Sequence, residues 1–344
     1  MIMRRILLLS LATASTLAAQ SNTVPGLDGR LEILDNLTYW AHRGAAFPGG
    51  EAGFSMRNTM CNPGAVNLPW FAVPQTNHPK FGFLMCRESG GRFVQISDRS
   101  FCKHAFTSAS TNGGCGTCNG IGGNQMGLRC SDTYAASHNA SQPDLGPADE
   151  LDPWLGSWAM VGSYFDRGDP SVGGAGATDG NYSLNTSGFD GVKNRVTVKD
   201  ADLNVAGATY WYGIHLMHEG EAVANRGDNL ASRGFTPTFS GSTWSFTNSG
   251  PGQVWGSILQ HWTGASLHDG GNGNDDGRFF VASKVTPISG GFHYEYAIHN
   301  VDNSRGGSAF RIPVAAGATV SNFGFRDIDT NALNEWTAAR VGNE

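Results

Sequence analysis

Two stretches of the chain bring chemistry-bearing side chains together. Asp144, Asp149, Glu150 and Asp152 place four carboxylates within nine residues, beside Trp154 and Trp158. One carboxyl group acting as acid and a second as nucleophile or base, with aromatic rings to stack on sugars, is the equipment of a glycoside hydrolase cleft. Asp149, Glu150 and Asp152 are therefore the candidate catalytic residues if the protein is a secreted polysaccharide-active hydrolase. The competing reading is a solvated acidic loop whose tryptophans dock into the core. It is preferred, because catalytic carboxylates are paired by the fold and not by adjacency in sequence.

The second stretch is His268 to Gly277, HDGGNGNDDG. Asn272, Asn274 and Asp276 alternate along it with Gly277 next, the spacing that wraps oxygen ligands around Ca²⁺ while glycine permits the sharp turn. Two of the three ligands are neutral, and Ser283, where the motif needs a bidentate carboxylate, cannot supply one. Asp269 or Asp275 would have to add charge. Ca²⁺ is the only cofactor this sequence suggests, and a plain Asn/Gly loop is the alternative.

Other constellations are weaker. His293, Glu295 and His299 fall on one face of a strand, but at about 3.3 Å per residue the two histidines lie about 20 Å apart and cannot share an ion. That face reads as a solvent-facing strand surface. His215 and His218 point to opposite faces of theirs. Two Arg-Gly-Asp tripeptides, Arg167 to Asp169 and Arg226 to Asp228, are within chance for a chain so rich in Gly and Asp.

Cys115 to Cys118, CGTC, lacks the strand-to-helix setting of a redox pair and the histidine of a haem attachment. A zinc set would have to borrow His104, Cys102 and Cys130. Structural disulfides in an oxidising compartment are the simpler reading for all six cysteines, Cys61, Cys86, Cys102, Cys115, Cys118 and Cys130, with the connectivity left open.

The elements that must position these residues are short and β-like. Phe81 to Cys86 and Arg92 to Ser97 read as strands joined by Ser89, Gly90 and Gly91, which is hairpin-turn chemistry. Leu31 to Trp40 fits a strand or one short helix, and Val66 to Val73, interrupted by Pro69, fits an edge strand or ordered loop. From Asn194 the pattern turns regular. Arg195 to Lys199, Thr209 to Met217, Ser242 to Asn248, Val254 to Leu259, Arg278 to Thr286, Phe292 to Asn300, Phe310 to Val314 and Val320 to Asp327 are each short, β-branched or aromatic, and bounded by turn residues. The expected class is all-β, an antiparallel β-sandwich or jelly roll with a disulfide-stapled, loop-rich N-terminal half. The expected organisation is a signal peptide over 1–19, a cysteine-containing loop-rich β segment over 20–150, a Gly/Asp-rich connection over 151–190 and an antiparallel sandwich over 191–344, the β parts standing apart or closing into one domain.

Several of these stretches resemble a set of large, secreted bacterial β-rich proteins. They are GGRFVQIS with CKHAF, CNGIGGNQMGLRCSDTYAAS, DDGRFFVASKVT with HYEYAIHNVDN, and FGFRDID. The resemblance covers most of the chain after about residue 60. It implies export and one extended β-rich architecture, implies chains that continue past the position of Glu344, and carries no activity or catalytic residue to transfer.

Composition narrows the function. Arg4 and Arg5 precede a short apolar run ending in small residues, the form of a secretory leader cut after Ala18 or Ala19. Its loss takes the formal charge from -6 to -8, two arginines fewer. No basic run suggests nucleic acid, and no later segment is apolar enough to predict a membrane span. Charged residues are 15% of the chain and glycines number 48, low and high respectively, as many short strands joined by tight turns require. The expectation is a secreted extracellular or cell-surface protein, with the periplasm as the other destination. Its role is non-enzymatic binding or assembly, with an extracellular glycan or other copies of itself as partner; the polysaccharide hydrolase is the alternative.

Overall fold

A computed structural model of the chain has 42% of its residues in strands and 9% in helices, far below the third of helix that would contradict an all-β class. The structure describes residues 24–172, 176–270, 276–328, 333 and 335–342. The expected leader, 1–19, lies outside them, as do Asn272 and Asn274 of the calcium reading.

The strands that matter for the site are, in chain order, β1 (Arg30–Arg43), β2 (Glu51–Cys61), β3 (Lys80–Ser89), β4 (Arg92–Gln95), β5 (Phe101–His104), β6 (Cys130–Tyr134) and β7 (Leu145–Pro147) from the front of the chain. The back contributes β8 (Val196–Lys199), β9 (Thr209–Met217), β10 (Leu230–Ser240), β11 (Thr243–Trp255), β12 (Ser266–Gly270), β13 (Phe279–Ile288) and β14 (Gly291–Asn300). In the first sheet β2 pairs with β1, β6 and β8; the second runs β7-β5-β3-β9-β10-β11, with β4 also on β3; a third joins β12, β13 and β14.

Leu31 to Trp40 is strand, and its helix-like look has a cause. Leu31, Leu34 and Leu37 are all buried, a spacing of three that a regular strand would send to alternate faces. Register shifts between Leu31 and Ile33 and between Asp35 and Leu37 are bulges that return each leucine to the same face and bend the strand. The turn after β3 is as expected: Gly90 and Gly91 have φ of 58° and 83°, the positive pair that a two-residue hairpin turn needs.

The main core fills the space between the first two sheets. Leu31, Leu34, Phe54 and Met56 from the first meet Phe81, Phe83, Met85, Tyr212, Ile214 and Phe235 from the second in one contiguous cluster. The opposite face of the second sheet is covered twice. Leu84 and Cys86 pack with Ile258, Leu259, Trp262 and Ala282 under the third sheet, while Cys102 and Met217 pack with Leu151, Trp158 and Phe165.

Three expectations need correction. The halves of the chain are not separate sheets: β9 of the back half lies against β3 of the front in register from Thr209 opposite Glu88 to Met217 opposite Lys80, and β8 pairs with β2. Residues 191–344 therefore do not close a sandwich of their own. Phe310 to Val314 and Val320 to Asp327 are not strands; they pair with no neighbouring strand, and a strand without a ladder leaves its amides to water. Four cysteines pair, Cys61 with Cys115 and Cys118 with Cys130, but Cys86 and Cys102 are free and buried. Cys102 sits beside Gly82, whose ideal Cβ would lie 3.9 Å from its Sγ. Cys86 is four residues further along β3, about 13 Å away, beyond the roughly 7 Å that a disulfide bridges.

Candidate functional site

On its outer face the second sheet carries Gly82 of β3 opposite His215 of β9, and His215 opposite Leu230 of β10. Glycine here removes the side chain that would fill the middle of the face. A cavity of about 360 Å³ lies over this point, within the roughly 300–1,000 Å³ of small-molecule sites. Its floor is Gly82, Cys102, His215 and Met217; Ala148, Leu151 and Pro153 form one wall and Asn300 to Asn303 the other. A second space of about 20 Å³, room for about one water, shares Gly82, Arg99 and His215 and adds His299.

Arg99 lines both spaces. It comes from the connection between β4 and β5, which is pinned on each side. Asp98 N donates to Thr197 O of β8 at 2.9 Å, and Ala148 N donates to Ser100 O at 2.8 Å. The Asp98 carboxylate takes the amide of Ser100 at 2.9 Å, closing the turn beneath Arg99. Among the described residues the guanidinium has no hydrogen-bond or ion-pair partner. The titrating groups that bear on it are the thiols of Cys102 and Cys86, and burial, the dominant influence, lowers its pKa.

The remaining polar groups are mostly engaged with one another. Asp302 is held by Arg278, through Nε at 2.8 Å and Nη2 at 2.6 Å. The Asn300 side chain closes a turn on the main chain of Asn303, donating Nδ2 to its O and accepting its N–H, each bond 2.9 Å, and Gln95 Nε2 donates to Ser97 O at 2.7 Å. His299 Nδ1 lies 3.0 Å from Ser257 Oγ. Burial, then Arg99 and Arg278, push its pKa down to about 3. The His215 imidazole has no hydrogen-bond partner among the described residues. Burial above all, with Arg278 and Arg99 next, holds it well below the usual imidazole value. The Cys102 thiol is pushed up to about 12 by burial, against the pull of Arg99.

The residues singled out from the sequence have other occupations. Asp149 is exposed. Both oxygens of Glu150 accept the Tyr164 amide, at 2.8 and 3.0 Å, and burial raises its pKa. Asp152 Oδ1 accepts from the amides of Trp154 and Leu155 at 3.0 and 2.9 Å, which fixes the turn leading away from the cavity wall. Trp154 lies beneath the Arg226 guanidinium, 4.6 Å from its ring centre, and Trp158 packs edge-on against His104 and Phe165. Both rings are buried. Asp276, the described member of the calcium set, accepts Asn303 Nδ2 at 3.1 Å and pairs with Arg305. Among the described residues no group of three or more His, Cys, Asp or Glu is placed to hold a metal ion.

The strand β14 shows its faces the other way round from the expectation. Phe292 and Tyr294 are 60% and 53% exposed. Glu295, on the other face, is gripped by Arg92 at 3.0 and 2.7 Å and by His293 at 2.9 Å, and His299 is buried. The third sheet lies over the second through Ala282 and Ala297, so the polar face is turned inward at Glu295 and His299, while His293 at its end stays exposed. Neither Arg-Gly-Asp carboxylate is displayed, since Asp169 and Asp228 are both buried.

His104 belongs to a different cluster, under the 145–165 segment. His78 Nδ1 faces Gln75 O at 2.7 Å and its Nε2 faces His104 Nδ1 at 2.9 Å. Beside them Lys80 Nζ donates to Thr76 O and Gly156 O at 3.0 and 2.8 Å. Both lysines of this region, Lys80 and Lys103, are fully buried. With Cys118 and Cys130 bonded to each other, no zinc set forms around His104.

Arg99, His215 and His299 were not identifiable as partners in sequence. Arg99 sits in SDRSF, a connection with no motif, and the three lie on separate elements. Among the described residues no helix is long and apolar enough to cross a membrane. No protein-family model, no curated protein and no solved structure matches the chain.

Proposed function

We propose that this is an exported binding protein, non-enzymatic, which takes a small extracellular ligand such as the end of a glycan chain into the cavity over Gly82. The observation that carries this reading is the cavity itself: about 360 Å³, floored by a glycine and lined by a fixed arginine. Pre-formed, partly apolar sites of this size with few converging polar groups are the usual form of ligand pockets. Binding is favoured over turnover because the Cys102 thiol and the neighbouring His299 imidazole are held out of their reactive forms at neutral pH. The Cys102 thiol stays protonated with its pKa at about 12, and His299, at about 3, is too weak a base to accept a proton there.

Export is supported by the leader-like N-terminus and by two disulfides, which persist in oxidising compartments. Protein recovered from the culture fluid should begin at Ala19 or Gln20. The cavity is tested by thermal melts of the full chain against a library of glycan fragments, with Gly82→Val as the blocked form. An added Cβ at Gly82 meets Met217 Cε at 3.6 Å and His215 Cβ at 3.9 Å, ordinary contacts. Valine also suits a strand, so this variant should fold with its cavity floor filled. Fragments that raise the Tm of the wild type and not of Gly82→Val are the expected result. Fragments that stabilise both equally, or that the protein degrades, would overturn the proposal.

A further inference from the structure

We infer that the ligand is a small organic acid whose carboxylate is held by Arg99 and hydrogen-bonded by His215. This rests on the reading of the cavity as a binding site and names the chemistry of what enters it. A guanidinium withdrawn from water without a counter-ion is costly, and its planar fork matches a carboxylate with two parallel hydrogen bonds. Arg99 is half-buried, lines the cavity and has no such counter-ion, and its connection is tied to Thr197 and Ala148, so its base is already fixed.

The neighbours do not satisfy it. The one acidic side chain on the cavity wall, Asp302, is taken by Arg278, the side chain of Asn300 is bonded to the Asn303 main chain, and Nδ2 of Asn303 and Nε2 of Gln95 donate to Asp276 and Ser97. A chain of formal net charge -6 thus has a cavity whose uncompensated charge is positive. Neutral His215 adds one N–H donor to an oxygen in the same space. Leu151, Pro153, Met217 and Val301 offer an apolar surface to a carbon body, which a bare inorganic anion would leave unused.

The test is titration calorimetry on the full chain with two matched pairs, glucuronate against glucose and hexanoate against hexanamide, and with sulfate as the inorganic anion. At least one acid should bind about 10-fold or more tightly than its neutral partner, as charge-assisted hydrogen bonds imply. Arg99→Gln should erase that preference, and Arg99→Lys, which keeps the charge and loses the fork, should keep part of it. Arg99→Lys decides the matter if Arg99→Gln does not fold. Neutral partners binding as well as the acids, or an acid preference that survives in Arg99→Gln, would overturn the acid assignment and leave the cavity reading intact. Sulfate binding as tightly as the acids would overturn the organic part. Binding that Gly82→Val leaves unchanged, or no binding at all, would overturn both readings.

Discussion

His78 is fully buried, and its hydrogen bonds dictate its protonation state. Gln75 O can only accept, so His78 Nδ1 carries the proton, and Nε2 must accept from His104 Nδ1. A second proton on His78 would break that bond and set a new cation beside Lys80. Burial, then Lys80, accordingly depress its pKa from the ordinary 6.5 to about 3. Because the folded value lies below the unfolded one, the unfolded chain binds more protons between about pH 6.5 and about pH 3, and stability falls as the pH falls through that window. At about 1.4 kcal/mol for each tenfold change in proton affinity, the whole gap is worth about 5 kcal/mol, of which about 2 kcal/mol is lost by pH 5. His104 is coupled to it, so the two titrate as a pair and their effects do not simply add. The assay is urea unfolding of wild type and His78→Gln at pH 7.5 and pH 5.0. Glutamine can donate to Gln75 O and accept from His104, but it cannot titrate. The wild type should lose about 2 kcal/mol more than the variant on acidification. Equal losses would show that His78 is already protonated, or freely hydrated, in the folded protein.

Three further outcomes follow from the packing. The Cys61–Cys115 bridge closes 54 residues and Cys118–Cys130 closes 12, so paired Cys→Ser substitutions should cost about 4 and about 3 kcal/mol on the chain-entropy estimate, read from urea midpoints; the reverse ranking would refute the loop argument. Burial keeps both free thiols protonated, so alkylation followed by mass spectrometry should label no thiol in the native protein, two in denaturant and six after reduction in denaturant, and native labelling of Cys86, which packs beneath the third sheet, would mean that sheet does not cover it. Tyr134 OH receives Trp70 Nε1–H at 3.0 Å and donates to Phe106 O at 3.0 Å, so Tyr134→Phe should destabilise by about 1–3 kcal/mol through stranded polar groups, although the core keeps its volume. A neutral melt would assign those groups to water.

Much of the element pattern was written locally. β9 spans Thr209 to Met217, the same residues that alternation and turn composition mark out, and the Ser89 to Gly91 turn needs no information from elsewhere in the chain. Four of six cysteines paired as the oxidising reading requires. The site was not legible in this way. A period of two says that a strand has two faces and cannot say which is covered; β14 turns Glu295 and His299 inward because Ala297 packs on a sheet whose strand β3 comes far earlier in the chain. Cys86 and Cys102 stay apart because strand pairing sets their distance, which spacing along the chain does not. The same holds for the acidic run at Asp149 to Asp152, where the fold spends Glu150 and Asp152 on backbone amides. Arg99 is the extreme case. Nothing beside it in sequence distinguishes it from any surface arginine, and its meaning lies in which partners it lacks. That is a property of the whole surrounding shell, assembled from β3, β9, the 148–153 wall and the turn after β14, and it exists only once those elements are in place.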